Sequence, residues 1–201
     1  PIYDFFKKNG LSIGIGILAF LFLFKIGEAF LGRMSLIFYK EVGFTKSDIG
    51  IFSKGLGWVT TVLFTLIGGF LTVKIGLVRS IFIAGIFMAV TNLLFSLLFW
   101  TGKNYLIFSI AVILDDLAAA FATVAFVAFI SVLVNRQYTA TQYALLASIG
   151  TLGRTTLASS SGSLVDYLNG DWGLFFIITC VMVVPSLILI FFLKGKIKAL
   201  N

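Results

Sequence analysis

The 201 residues are 60% apolar and only 11% charged, with 23 phenylalanines and no histidine. A soluble domain carries about 25% charged residues, so this composition excludes an ordinary water-soluble protein. The net charge of +7 does not describe a nucleic-acid surface either, because the basic residues sit in short loops between apolar runs instead of clustering on one face.

A bilayer-spanning helix needs about 20 apolar residues. Six such windows predict an all-α, polytopic membrane protein. The lone Cys180 lies in an apolar run and reads as a small buried hydrophobe. No Cys or His spacing suggests a metal, and no cofactor is implied. The chain opens on Pro1 and shows no signal-peptide pattern, which reads as a segment of a longer protein.

In chain order, residues 1–10 form a short cap carrying Lys7 and Lys8. The first span is expected over about 11–38, interrupted by Lys25, Glu28 and Arg33. Lys25 and Glu28 are three apart, on one helical face, and able to pair. Either the pair neutralises itself for insertion or it faces a central cavity. The cavity is the preferred reading, since lipid-facing charges are rare.

Thr45 and Asp48 fit a capping box opening a second span over about 47–73. Lys54, about two turns into it, either snorkels to the headgroups or lines a cavity. Gly68 to Ser80 reads as a tight loop with Gly69, Lys74, Gly76 and Arg79. The third span, about 80–100, holds Asn92, expected to hydrogen-bond a neighbouring helix with an effect of about 0.6–2 kcal/mol.

The fourth span, about 105–134, carries Asp115 and Asp116 about 15 Å from its start. That is near the middle of a hydrocarbon layer about 30 Å thick. Adjacent residues on a helix lie about 100° apart, so one acid is expected to face a cavity and the other a neighbouring helix. Asn135 starts a polar turn in which Thr139 and Gln142 fit a second capping box. The fifth span, about 140–168, places Arg154 near mid-depth, and its serines Ser159 to Ser161 read as small residues for close helix packing. The sixth span, about 172–193, contains Pro185, expected to kink it.

Counting Lys and Arg in the loops puts eight on the side of both chain ends and three on the other. By the positive-inside rule both ends of the segment are cytoplasmic. Three helices place charges near one level, where each charge costs roughly 2.5–3.5 kcal/mol on insertion scales. Transporters hold their sites at such a midplane. Nothing offers the nucleophile–base or metal set of an enzyme.

GGFLTVKIGLVR (Gly68–Arg79) resembles the loop joining the second and third helices of each half of the major facilitator superfamily. Gly69, Leu71, Lys74, Gly76 and Arg79 fit that pattern, and Val73 stands where it has an aspartate. A closer resemblance is to the AmpG-type muropeptide permeases. It rests on FKIGEAF, VGFTKSDIG, SKGLG, the run Ala125–Arg154 with its NRQYTATQYALL, and GSLVDYLNGDWGLFF. Eukaryotic acetyl-coenzyme A transporters share parts of it.

The resemblance implies the C-terminal six-helix half of a twelve-helix permease, partnered by an absent N-terminal half. It implies proton-coupled import of anhydro-muropeptides across the bacterial inner membrane for cell-wall recycling. Lys25, Glu28, Lys54, Asp115, Asn135, Gln142 and Arg154 match the family's polar positions. The family has an acid then an amide where this chain has Asp115-Asp116. Two other readings stand beside it: a different major-facilitator porter for sugars, drugs or acetyl-coenzyme A, and a non-transporting membrane subunit.

Overall fold

A computed structural model of the chain describes residues 2–135 and 138–197, and every regular element among them is helical. The first predicted span is two helices, α2 (Leu11–Leu23) and α3 (Ile26–Glu41), preceded by a short α1 (Ile2–Asn9). The helix breaks at Phe24 and Lys25, inside the apolar stretch. The second span runs from α4 (Lys46–Ile49) through a π-helical turn (Gly50–Gly55) into α5 (Leu56–Ile75). Then follow α6 (Leu77–Thr101), α7 (Tyr105–Leu133), α8 (Thr139–Ser159), α9 (Ser161–Tyr167) and α10 (Trp172–Leu193).

The described residues contain five helical segments long and apolar enough to cross a membrane: Leu11–Glu41, Lys46–Ile75, α6, α7 and α10. The predicted fifth span is not among them. It is α8, rich in Thr, Ser and Gly, parted from α9 at Ser160. Pro185 lies inside α10, whose helical run continues past it.

The turn expected over Gly68–Ser80 is a single joint. Helix α5 continues to Ile75, and Gly76, with φ 87°, both ends α5 and opens α6. Only glycine enters that backbone region without strain. Gly69 is therefore helical, and Lys74, one residue before the end of α5, lies 5.9 Å from the ring of Phe70. Arg79 is exposed in the first turn of α6.

Helix α7 packs between α5 and α6, and α10 between α6 and the broken pair α2/α3, which carries α8 on its other side. Aromatic stacking from α2 onto α7 closes the bundle, with Phe24 over Phe126 at 5.8 Å and Phe20 edge-on to Phe129 at 5.2 Å. Two apolar clusters result. One gathers Phe20, Phe24, Met88, Phe126 and Phe129. The other gathers Phe30, Phe38, Phe95, Phe108, Trp172 and Phe176. Between them lies a polar layer, because on four of the spans the switch from one cluster to the other falls at polar residues: Lys25, Thr91 and Asn92, Asp115 and Asp116, and Ser186.

Loop contacts set the two ends of the bundle. The capping box of α4 forms as expected, Thr45 Oγ1 accepting from Asp48 N–H and Asp48 Oδ2 from Thr45 N–H. Asp48 also takes a hydrogen bond from the Tyr105 hydroxyl and an ion pair from Lys103 at 3.4 Å. Contact with Tyr105, then with Asp48, holds the Lys103 ammonium above its ordinary value. At the same end the Trp172 indole donates to Glu41 Oε2 at 2.6 Å, joining α3 to α10.

The second expected capping box does not form. Helix α8 has Tyr138 at its N-cap with no side-chain cap, and the Thr139 hydroxyl donates to the Asn135 carbonyl. Gln142 instead accepts from the Asn135 N–H at 2.7 Å, while Asn135 Nδ2 donates to Asp4 on α1. The amide thus closes the turn itself, reaching seven residues back where a capping box spans three. Arg136 and Gln137, in that turn, lie outside the described residues.

Outward faces are apolar, as lipid demands. Trp58, Val62, Leu66 and Phe70 of α5, Ile83 and Val90 of α6, and Ile188 and Phe192 of α10 are all exposed.

Candidate functional site

The break in the first span generates the site. With α2 ending at Leu23, Lys25 stands at the N-cap of α3 and Glu28 in its first turn, where the helix dipole favours a carboxylate. Lys25 Nζ lies 3.0 Å from Glu28 Oε2 and donates to Thr123 Oγ1 on α7 at 2.7 Å. The other carboxylate oxygen, Oε1, faces Arg154 of α8 at 3.5 Å. Lys25 and Glu28 keep only 12% and 16% of their side-chain surface exposed, whereas Arg154 keeps 49%. The pair neutralises itself, and of its two members Lys25 borders a cavity. Lys25 and Arg154 together line a cleft of about 150 Å³ between α7 and α8, with Phe126, Tyr143 and Thr151 on its walls.

The predicted acids are held by hydroxyls. Asp115 accepts from the Thr91 hydroxyl of α6 at 3.1 Å, and Asp116 from the Thr60 hydroxyl of α5 at 2.7 Å. Each carboxylate therefore contacts a neighbouring helix, on opposite flanks of α7, where one was expected to face a cavity. Lys25 meets α7 at Thr123, eight residues beyond Asp115 or about 12 Å along the axis. The acidic group nevertheless adjoins the basic cluster of Lys25, Glu28 and Arg154 within the one polar layer, since Gly27, beside Glu28, packs on Asn92, and Thr91, beside Asn92, donates to Asp115. Asp116 also presses on Gly57, where a Cβ would stand 3.1 Å from its Oδ2, just past the π-helical turn. Such turns concentrate at functional positions.

Asn92 departs from expectation. It is buried against Gly27, and its Nδ2 has no hydrogen-bond partner among the described residues. The side chain of Lys54 lies outside the described residues. The serines expected at a close helix contact divide: Ser161 is buried, but Ser159 and Ser160 are exposed and donate to carbonyls of their own helix. The close contact is made by Gly153, against the Phe22 carbonyl, and by Gly150, beneath Phe126. Cys180 is half-buried. Among the described residues no group of three His, Cys, Asp or Glu side chains is placed to hold a metal.

Sequence reading missed the hydroxyl partners Thr60, Thr91 and Thr123, since threonines are common in apolar helices and give no signal until a carboxylate or ammonium is placed opposite. Glu28→Gln tests the basic cluster. Removing the carboxylate leaves Lys25 enclosed without its counter-charge, a loss of roughly 3 kcal/mol, the low end for a buried pair because Thr123 remains. The expected result in detergent is an unfolding midpoint lowered by several degrees, largely recovered in a Lys25→Met/Glu28→Leu double variant.

Long apolar helices enclosing a polar layer define a multi-pass helical membrane protein. No protein-family model matches the chain. It is 34% identical to the putative transporter AmpG 4 of Rickettsia felis, over 98% of this chain and 47% of that protein. It is 33% identical to the anhydromuropeptide permease of Escherichia coli K12, over 94% of this chain and 38% of that protein. The putative transporter AmpG 1 of Rickettsia prowazekii is 31% identical over 96% of this chain. Nearly the whole chain is thus homologous to AmpG-type transporters and permeases, and it spans about half the length of the curated relatives it matches. These relatives are named as transporters and permeases, not enzymes.

Proposed function

We propose that the chain is the C-terminal six-helix half of a major-facilitator-type transporter. In this reading it imports anhydro-muropeptides across the bacterial inner membrane by proton symport, feeding cell-wall recycling. The sixth crossing is α8 with α9, whose polar residues suit a helix facing a cavity and the N-terminal half better than one facing lipid. Both ends of the segment are cytoplasmic, the side of its loop lysines and arginines.

One observation carries the reading: a lysine, a glutamate and a half-exposed arginine from two helices meet at a broken span and open onto a cleft. Broken helices recur at transporter binding sites. The contact of Arg154 with Glu28 is long at 3.5 Å, so a carboxylate on the cargo competes for the guanidinium fork. Glu28, released, is then free to take the coupled proton, and Asp115 is the other candidate carrier. Rocking of the two halves exposes the site alternately to each side.

Membrane vesicles holding the full-length protein test this. Labelled anhydro-disaccharide peptide should accumulate only under an inward proton gradient and should be outcompeted by its own unlabelled form, not by hexoses, drugs or acetyl-coenzyme A. Accumulation of another solute class in its place would assign a different porter. Tight assembly without any flux would favour a non-transporting subunit.

A further inference from the structure

A second cavity opens on the far side of Arg154. It measures about 270 Å³ and is lined by Gly32 and Arg33 of α3 and by Arg154, Thr155, Ala158 and Ser159 of α8. That is below the roughly 300–1,000 Å³ of a whole ligand pocket, the size of a subsite. Arg33 lies eight residues beyond Lys25, about 12 Å further along α3. It is exposed, and no carboxylate among the described residues is ion-paired with it. A membrane helix rarely carries an arginine without a partner or a task.

The hydroxyls complete the picture. Thr155 Oγ1 donates to the Thr151 and Leu152 carbonyls, and Ser159 Oγ to the Thr156 carbonyl. Their protons are committed within α8, so toward the cavity these oxygens offer lone pairs only. The cavity thus presents two guanidinium forks as donors and two hydroxyl oxygens as acceptors.

We infer that Arg33 and Arg154 form an anion subsite for a carboxylate that carries an amide N–H or hydroxyl beside it, such as the C-terminal acid of a peptide. The subsite is distinct from the Lys25–Glu28 cluster and shares only Arg154 with it. Guanidinium groups take carboxylates as bidentate partners, which selects acid over amide. Gly32, with nothing within 4 Å of its Cβ position, leaves the approach open. The inference rests on the muropeptide reading for the identity of the cargo, but not for the chemistry of the subsite.

The test uses full-length protein in lipid nanodiscs and measures binding of two probe pairs: an anhydro-muropeptide with its C-terminal amide, and an N-acetyl dipeptide with its amide. The expected result is tighter binding of each acid than of its amide. That preference falls roughly ten- to hundredfold in Arg33→Gln and is partly kept in Arg33→Lys, with amide binding unchanged throughout. Should only the N-acetyl dipeptide show an Arg33-dependent preference, the subsite stands and the muropeptide reading falls. Equal binding of acid and amide, equal loss of both in Arg33→Gln, or a preference untouched by either variant overturns the subsite. Failure of every probe to bind the unmodified protein overturns it too. The monodisperse elution of Arg33→Lys separates lost chemistry from lost folding.

Discussion

Arg154→Ala in the full-length protein should abolish anhydro-muropeptide uptake while leaving insertion and folding intact. The side chain keeps 49% of its surface exposed, so its removal leaves little void in the bundle. Glu28 retains Lys25 at 3.0 Å, and so no buried carboxylate is orphaned. Ion pairs exposed to this degree contribute about 1 kcal/mol or less to stability. Transport feels the loss more sharply, because the same guanidinium borders both cavities and its charged hydrogen bonds to a guest carboxylate are worth about 1.5–3 kcal/mol. That alone is roughly ten- to over a hundredfold in affinity. Arg154→Lys keeps the charge but loses the planar fork, and intermediate uptake is expected. Unchanged uptake by Arg154→Ala, with surface expression equal to the parent, would remove the residue from the site.

The second large effect is structural. Gly153→Ala should destabilise the protein and lower uptake together. A Cβ at Gly153 would drive into the Phe22 carbonyl, and backbone atoms cannot rotate aside as a side chain does. Overpacking costs about 1–3 kcal/mol, and here the upper end applies. The position also couples to function. Phe22 lies two residues before the break, and Arg154 is the next residue on α8, so prising the helices apart shifts the guanidinium from Glu28. Gly150→Ala makes an instructive comparison. Its Cβ would meet the Phe126 ring at 2.6 Å, and a ring can swing. The unfolding midpoint of Gly153→Ala should therefore fall further than that of Gly150→Ala; the reverse order would show that α2 and α8 are not held at backbone contact.

Reading hydropathy located α7 and α10 almost to the residue. It worked because lipid imposes one rule on every outward face, and a helix that must bury its backbone hydrogen bonds has no alternative conformation to adopt. The same logic marked Lys25, Glu28, Asp115, Asp116 and Arg154, since charge inside such segments is costly enough to stand out. Hydropathy spoke less clearly at α8. Together with α9 it covers nearly the expected 140–168, but it is too polar to rank with the five long apolar segments, and its polar residues line both cavities. The sequence misled at Gly68–Ser80, where glycines suggested a loop but only Gly76 takes a positive φ.

What the sequence determined by itself was the membrane as solvent, most of the crossings and the identity of the buried charges, because those follow from the cost of transferring each residue type out of water. Which charges meet was decided by tertiary structure. Lys25 is three residues from Glu28, yet its partners include Thr123 on α7, and Glu28 reaches Arg154 over 126 positions of chain. Those meetings depend on the break at Phe24–Lys25 and on the backbone contact of Gly153 with Phe22, neither of which leaves a mark in hydropathy. Packing between helices is a matter of shape, and shape is expressed only when the neighbours are in place.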